Sequence, residues 1–351
     1  MGIALQFYGA DSSNTVSFHH KFSCDKAGAS KAIIALTDPS DRFDKDILKR
    51  NIAELTAEVG CGNLSLYSFT SPCQGLSLAG KQGGAKDSRT QLVFSGILAV
   101  QKLKPHAFIL ENVSALCKLA KFRKLFQFIV KQLETAGYKV EHNVLNSAPY
   151  TAQNRSRLYM VGIRNDKVRT QLRGVPLFPA DVPVQRSISD CVVPLPPGQW
   201  KLHPDPKSDS LGYTNVMAAY KSLEESGTNP FITPCVIDGG SSPKFQNFRI
   251  GGCPTLTHTR ASAGRYWCST KGGYLTVDEM AELQGFSKKE FPWREAGLTP
   301  SAAGALLGNA QTLSLLKNLI PHVMFHASLC DFSQFSRMKE FLRTCQSGSA
   351  P

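Results

Sequence analysis

The 351-residue sequence lacks three patterns that would place it in common classes of protein. Its ten cysteines are scattered and never form a C-x-x-C pair. We therefore expect no zinc cluster or other metal site, no disulfide framework, and a reducing compartment. No run of about eighteen apolar residues is present, so no membrane span is expected. The N-terminal stretch has no basic segment followed by a long apolar one, so we expect no secretory signal.

Acidic residues are also scarce relative to basic ones. The chain has 27 Asp and Glu against 40 Lys and Arg, which gives a formal net charge of +13. This excess suits a polyanionic partner, and nucleic acid is the first candidate. The alternative is a protein that is merely basic. With 42% hydrophobic residues, the chain can form one large domain, or a large one and a small one.

The most informative stretch is Ser71–Ser77, with the sequence SPCQGLS, which follows a strand-like run at residues 64–70. A cysteine in a Pro/Gly turn just after a strand is unusual for packing, because free cysteines are mostly buried and inert. The carboxyl end of a strand is where open α/β sheets bind ligands. We interpret Cys73 as a nucleophile; a structural cysteine in a turn is the alternative.

A helical pattern at residues 88–102 and a buried-looking strand at residues 106–110 follow this turn. Strand, helix and strand form a βαβ unit, so we expect the two strands to be parallel neighbours. The second strand leads into Glu111. Because the carboxyl ends of parallel neighbours meet at one edge, Cys73 and Glu111 are predicted to share a cleft.

Other segments have simpler interpretations. Residues 18–24 read as a strand that ends at Asp25, an acid placed to accept ribose hydroxyls. Gln153, Arg155 and Arg157 alternate along an extended segment and are predicted to share one face. Thr276, with Glu279 three residues on, predicts a capped helix. We further expect long helices at residues 114–136 and 302–320, a loop-rich region at 174–255 and a tail at 326–351.

A thiol, a carboxyl, arginines and a basic surface together suit one reaction. Cytosine C6 is a weak electrophile, and a thiolate adds there only if charge on the ring is neutralised. A protonated carboxyl at N3, the role predicted for Glu111, does this, and an arginine near O2 helps. C5 then becomes a carbon nucleophile. A base inside a duplex must be flipped out to reach the thiol.

These residues carry a family resemblance over residues 18–320. The chain resembles the DNA (cytosine-5)-methyltransferases, and six segments agree in order and spacing. They are SPCQGLS at 71–77, DSRTQL at 87–92, ENV at 111–113, QNRSR at 153–157, LT to LQGF at 275–286, and GNA at 308–310. The resemblance implies an α/β Rossmann-like S-adenosylmethionine-dependent methyltransferase fold with a small, loop-rich target recognition domain.

The resemblance also implies roles for particular residues, with S-adenosylmethionine as cofactor and double-stranded DNA as substrate. The catalytic positions would be Cys73, Glu111, Arg155 and Arg157. Those at the cofactor would be Asp25, Asp46, Pro72, Leu92 and Asn309, and those at DNA would be Gln74, Ser77 and Gln153. Asp46 has a simpler alternative as an acid at a helix N-terminus. Surface salt bridges are the alternative for the two arginines.

The resemblance implies a domain order as well. Residues 1–164 would belong to the catalytic domain, 165–255 to the target recognition domain, 256–325 to a segment that completes the catalytic domain, and 326–351 to a tail. A monomer is expected, in the nucleus of a eukaryote or otherwise in the cytoplasm.

Two departures from the family pattern are visible. The family opens with a strand and a Phe-x-Gly-x-Gly loop that cradles the cofactor, and this sequence shows no such loop. We expect Ala4–Gln6 to fall in the helix that follows it in the family, and cofactor affinity to suffer. Gly273 stands where the family often has arginine.

Two other functions are weighed against a DNA methyltransferase. The first is a catalytically impaired relative or fragment that binds DNA without cofactor. The second is a transfer-RNA cytosine-5 methyltransferase. That branch carries a Cys-Phe-Thr signature, which residues 191–193 and 235–237 do not match.

The assignment of Cys73 makes a direct prediction. Cys73→Ser should abolish methyl transfer and leave DNA binding intact, because serine keeps the size of the side chain and removes the thiolate. Turnover and DNA affinity would be measured on the same preparations. Retained turnover would remove Cys73 from the role of nucleophile.

Overall fold

The computed structural model describes residues 2–8, 17–46, 49, 51–70, 91–180, 186–196, 198–242 and 245–346. The chain divides into two compact units. The large unit comprises Met1–Leu145, Ser156–Ala180 and Lys317–Pro351, and the small unit comprises Asn146–Arg155 and Asp181–Leu316. The predicted boundaries of the catalytic and target recognition domains concern functional roles, and they stay predictions.

The large unit is built on a seven-stranded sheet flanked by helices. Its strands are β1 (Gly2–Tyr8), β2 (Ser17–Cys24), β3 (Arg42–Asp44), β4 (Leu66–Thr70), β5 (Ala107–Val113), β6 (Tyr138–Asn146) and β7 (Ser156–Arg164). Its helices are α1 (Gly28–Thr37), α2 (Ile52–Val59), α3 (Gln91–Leu103), α4 (Ala115–Lys118) and α5 (Arg123–Thr135), followed later in the chain by most of α11 (Leu313–His326) and by α12 (Phe332–Gln346).

The strand order is β3-β2-β1-β4-β5-β7-β6. β4 and β5 are parallel neighbours, which confirms the predicted βαβ unit. All seven residues of β5 are buried, as expected for a strand covered on both faces of a sheet. The mixed α/β sheet is the Rossmann-like architecture that the sequence predicts.

α3 packs on this sheet through one buried face. Val93, Ile97 and Val100 are at most 3% exposed. Gly96 allows the close approach, because a Cβ at that position would lie 2.3 Å from the ring of Phe69. The helix therefore connects β4 to β5 in close contact with the core.

The strand β1 corrects one expectation. Residues 4–6, expected in a helix, form part of a strand that lies between β2 and β4 and is antiparallel to both. Gly2 pairs with Cys24 and with Phe69, so the amino end of β1 lies beside the carboxyl ends of its neighbours. β1 forms a strand because its backbone groups pair with β2 on one side and with β4 on the other. The local sequence does not reveal this pairing.

Two helix predictions and the predicted tail are also corrected. The long helix expected at 114–136 is broken, because Leu119 is extended between α4 and a 3₁₀ turn that precedes α5. The helix expected at 302–320 is two helices, α10 (Pro300–Asn309) and α11, since Ala310 is extended. The tail expected at 326–351 contains α12, and Phe335 of this helix is buried against α11 in a cluster with Phe325.

The small unit contains a second sheet and its own helices. The strands are β8 (Cys235–Asp238), β9 (Phe248–Ile250), β10 (Tyr266–Cys268) and β11 (Gly273–Tyr274), in the order β11-β10-β8-β9. The helices are α6 (Ala148–Thr151), α7 (Ser210–Glu225), α8 (His258–Ser262), α9 (Val277–Leu283) and α10.

The loop-rich description of residues 174–255 is wrong in one respect, since α7 has 16 residues. Val216, Ala219, Tyr220 and Leu223 are buried at helical spacing, a pattern that the surrounding prolines concealed. The capping box of α9 is confirmed: Thr276 Oγ1 accepts from the Glu279 amide at 3.2 Å, and Glu279 Oε2 accepts from the Thr276 amide at 2.7 Å.

Membrane spans, metal sites and disulfides were all expected to be absent, and each can be examined in the described part of the chain. Within it, no helix is long and apolar enough to cross a membrane. No group of three His, Cys, Asp or Glu side chains there is arranged to hold a metal ion. The eight cysteines whose side chains are described are free thiols.

Burial of His322 predicts acid sensitivity of the large unit. His322 Nδ1 lies 2.7 Å from the carbonyl oxygen of Pro176, and burial lowers the pKa of His322 from 6.5 to about 4. Between these pH values the unfolded chain binds more protons than the folded one. The free energy of unfolding should therefore fall as pH drops from 6.5 to 4, by up to about 3 kcal/mol.

Urea unfolding of His322→Asn at pH 7 and pH 5 tests this prediction. The difference in unfolding free energy between the two pH values should shrink, because asparagine does not titrate. His142→Asn, at an exposed histidine of the same unit, is the matched control and should follow the unmodified protein. An unchanged pH dependence in His322→Asn would contradict the assignment.

Candidate active site

The carboxyl end of β5 brings Glu111 beside the end of β4. In the parallel register Thr70 pairs with Glu111, and Cys73 follows Thr70 by three residues in the sequence. Glu111 is 6% exposed. A carboxyl group at the carboxyl edge of an α/β sheet is therefore held largely away from water.

The partner of this carboxyl is Arg157. β7 is antiparallel to β5, with Val113 opposite Arg157 and Glu111 opposite Tyr159, so Glu111 and Arg157 are diagonal neighbours on one face. Arg157 Nε lies 3.1 Å from Glu111 Oε1, and their side chains are 15% and 8% exposed.

Glu111 and Arg157 attract each other through their charges more than through a directed hydrogen bond. Glu111 Oε1 has no well-directed hydrogen bond in the structure as described. Arg157 instead donates through a terminal nitrogen to the Ser156 carbonyl at 2.9 Å. The pair therefore offers a buried carboxyl and a buried guanidinium that a ligand with both donor and acceptor groups could engage.

Four of the predicted site residues, Pro72, Cys73, Gln74 and Ser77, lie outside the described residues. Leu92 is the second residue of α3 and is half-buried. The structure therefore gives positions for the acid and arginine of the predicted reaction. The thiol is assigned from sequence alone.

The predicted cofactor residues Asp25 and Asp46 lie at adjoining strand ends. β2 and β3 are parallel, and the Asp25 amide donates to the Asp44 carbonyl at 3.1 Å. Asp25 accepts from the Ala27 amide and the Ser30 hydroxyl, both at 2.9 Å. Asp46 lies 3.8 Å from Lys26 Nζ. The two carboxylates are thus brought to one edge of the sheet.

Gln153 and Arg155 belong to the small unit and are buried at 0% and 4% exposure. Arg155 donates to the carbonyls of Leu256 at 2.9 Å and Ala310 at 2.9 Å, and more weakly to Gly308 at 3.4 Å. Arg157 contacts Glu111 in the large unit. The predicted common face of Gln153, Arg155 and Arg157 stays a prediction.

Gln284 is a buried residue to which the sequence analysis assigned no role. Its Oε1 accepts from Gln153 at 3.2 Å and from the Thr312 hydroxyl at 3.1 Å, and its Nε2 donates to the Leu307 carbonyl at 2.5 Å. Gln153 in turn accepts from the Leu256 amide at 2.9 Å. Two buried glutamines therefore join four segments of the small unit, a connection that no local pattern reveals.

Asn309 also lies in the small unit, at the end of α10, and is exposed. Its Nδ2 is 3.1 Å from His258 Nδ1. Asn309 therefore has a side-chain neighbour of its own within the small unit, and its predicted role at the cofactor stays a prediction.

Comparison with known proteins identifies the family of the chain. The family model described as C-5 cytosine-specific DNA methylase matches residues 45–324, well over half of the sequence. The chain belongs to this family. The resemblance that the six sequence segments indicated is thereby confirmed.

Two of the relatives among characterised proteins are bacterial type II methyltransferases. The type II methyltransferase M.XorII of Xanthomonas oryzae pv. oryzae is 28% identical over 279 residues, 77% of this chain and 57% of that protein. M.PspPI of a Psychrobacter species is 35% identical over 236 residues, 64% of this chain and 56% of that protein. The chain thus spans a little over half the length of these two relatives.

Solved structures of methyltransferases share the fold. EhMeth of Entamoeba histolytica superposes with a TM-score of 0.57 at 13% identity, covering 88% of this chain and 90% of its own. Dnmt2 of S. pombe superposes with a TM-score of 0.51 at 17% identity, covering 86% and 89%. The Rossmann-like methyltransferase fold is therefore shown for this family member.

The Glu111–Arg157 pair makes a stability prediction. Arg157→Met should cost about 3–5 kcal/mol of unfolding free energy, because it leaves a buried carboxyl without its partner. Adding Glu111→Gln should restore at least about 1 kcal/mol, because the amide carries no charge. Chemical denaturation of both variants measures the two values.

Lys139→Met is the matched control. Lys139 pairs with Glu141 at 3.0 Å, but the side chains are 58% and 42% exposed, so removal should cost less than about 1 kcal/mol. Equal costs for Arg157→Met and Lys139→Met would contradict the burial argument.

Proposed function

We propose that this chain is a DNA (cytosine-5)-methyltransferase that acts through a covalent adduct with Cys73. The observation that carries the proposal is the buried Glu111–Arg157 pair beside Thr70, the end of the strand that leads to Cys73. Membership of the C-5 cytosine-specific family supports the substrate and the reaction class.

In the proposed reaction the thiolate of Cys73 forms a bond to C6 of a flipped-out cytosine. Glu111 donates a proton to N3 at the same time, so that the ring carries no added negative charge. The guanidinium of Arg157 neutralises charge at O2. C5 then carries the electron pair that accepts a methyl group.

The reaction ends by reversing the addition. A base removes the proton from C5, the C5–C6 double bond re-forms, and Cys73 leaves as a thiolate while Glu111 recovers its proton from N3. Atoms therefore balance: one methyl group replaces one proton of cytosine. Gln74, Ser77 and Gln153 are proposed to support the DNA, and Arg155, through its three carbonyl contacts, to keep the backbone around residues 256 and 310 in place.

S-adenosylmethionine, when bound, supplies the methyl group. Asp25 and Asp46 fit it in chemical type, because carboxylates at strand ends accept hydrogen bonds from ribose hydroxyls. Pro72, Leu92 and Asn309 are proposed to complete its site. Double-stranded DNA is the proposed partner, and a monomer in a reducing compartment is the proposed state.

The antiparallel strand β1 favours a second candidate function. In doubly wound sheets the ligand loop follows the carboxyl end of a parallel strand. Tyr8, the carboxyl end of β1, pairs with Ser17 at the opposite edge from Asp25. A relative that binds DNA without cofactor is therefore the alternative. A transfer-RNA methyltransferase is a further alternative, because the likeness to solved structures shows the fold and not the substrate.

Transfer of labelled methyl groups to a cytosine-containing duplex tests the proposal. The unmodified chain should be active, and Glu111→Gln should lower kcat at least about 100-fold with DNA affinity unchanged, because the amide cannot protonate N3. Lys139→Met, remote from the carboxyl edge in sequence and exposed, is the control for loss of fold.

Two outcomes decide among the candidate functions, and a third tests the role of Glu111. No transfer with no binding of S-adenosylhomocysteine, in a folded chain that binds DNA, would favour the cofactor-free relative. Transfer to transfer RNA but not to DNA would favour the RNA enzyme. Unchanged kcat in Glu111→Gln would remove that residue from the proton transfer.

A further inference from the structure

The positive charge of the chain is unevenly distributed between the two units. Counted from the sequence, the small unit has 13 Lys and Arg against 12 Asp and Glu, a formal charge of +1. The large unit therefore carries +12 of the net +13. The small unit is therefore nearly neutral, and most of the net positive charge belongs to the large unit.

One part of that surface combines charge with exposed apolar side chains. On α3, Leu98 is 41% exposed, and on α5, Phe128 is 48% exposed. Phe94, one turn before Leu98, meets Phe128 edge to face with ring centroids 5.9 Å apart. Phe94 is half-buried, and together with the exposed Leu98 and Phe128 it forms an apolar patch across two helices, which we call the α3/α5 face.

The rim of the α3/α5 face is basic. Lys102 lies one turn after Leu98, while Lys124 and Lys131 lie four residues before and three residues after Phe128. All three are exposed, and none forms an ion pair with another described residue. α3 contains no acidic residue, and Glu134, the acid of α5, lies about 120° from Phe128 around the helix.

We propose that the α3/α5 face docks an acidic amphipathic segment of another protein. An apolar centre enclosed by cations is complementary to apolar side chains flanked by Asp and Glu. A second copy of this chain is disfavoured, because two basic rims would repel each other. Nucleic acid is also disfavoured, since phosphate contacts do not require an exposed leucine.

The docking mode follows from the two helices. Side chains of Phe94 and Leu98 on one helix and Phe128 on the other present ridges between which a helix with apolar residues at i, i+3, i+4 and i+7 fits. Leu98 and Phe128 are the anchors, and the lysines supply orientation and salt dependence. This role is independent of the reaction proposed for Cys73 and Glu111.

A labelled synthetic peptide tests the proposal on the full chain. Its sequence places Leu and Phe at i, i+3, i+4 and i+7 and Glu at the other positions, and binding is followed by fluorescence anisotropy. We expect saturable binding in the micromolar range that weakens with added salt. Leu98→Ser/Phe128→Ser and Lys124→Glu/Lys131→Glu should each weaken it at least about tenfold.

Leu36→Ser is the matched control, since Leu36 is 53% exposed on α1 of the same unit. It should bind the peptide as the unmodified chain does. Binding that persists in Leu98→Ser/Phe128→Ser and is fully competed by duplex DNA would overturn the proposal and leave a polyanion surface. The proposal is likewise overturned if there is no saturable binding below about 1 mM, or if Leu36→Ser causes an equal loss.

Discussion

The parallel pairing of β4 with β5 is the constraint on which the candidate site depends. It brings Thr70 into register with Glu111, so a chain that continues from Thr70 begins beside a buried carboxyl. The antiparallel β7 then adds Arg157 from the other side. A one-residue change of register would turn Glu111 to the opposite face of the sheet and separate the charges. Backbone hydrogen bonds in the core thus hold both charges in place.

Much of this arrangement could be predicted from local pattern. The βαβ unit from β4 to β5 and the capping box of α9 follow from periodicity and a few specific residue types. The direction of β1 could not, because backbone pairing to two neighbours decides it. The buried role of Arg155 could not either, since its carbonyl partners are about 100 or more residues away in the sequence. Long-range polar contacts leave no local signal.

The two units are each held together by different kinds of interaction. Buried polar side chains, including Gln153, Gln284 and the ion pair of Lys271 with Glu279, join the segments of the small unit. That ion pair is 3% and 5% exposed and supplies a cation two residues before Gly273, where the family often has arginine. The large unit holds its carboxyl edge with an apolar core and carries nearly all of the net charge. A partner drawn by charge is therefore expected to meet the large unit.

The central claim is covalent addition at the edge formed by β4 and β5. Incubation with a duplex that contains 5-fluorocytosine, in the presence of S-adenosylmethionine, tests it most directly. Fluorine at C5 cannot leave as a proton, so an adduct cannot resolve. The account predicts a protein–DNA complex that survives denaturation and maps to the peptide containing Cys73. A folded chain that binds both cofactor and duplex yet gives no adduct, or one at another cysteine, would contradict it.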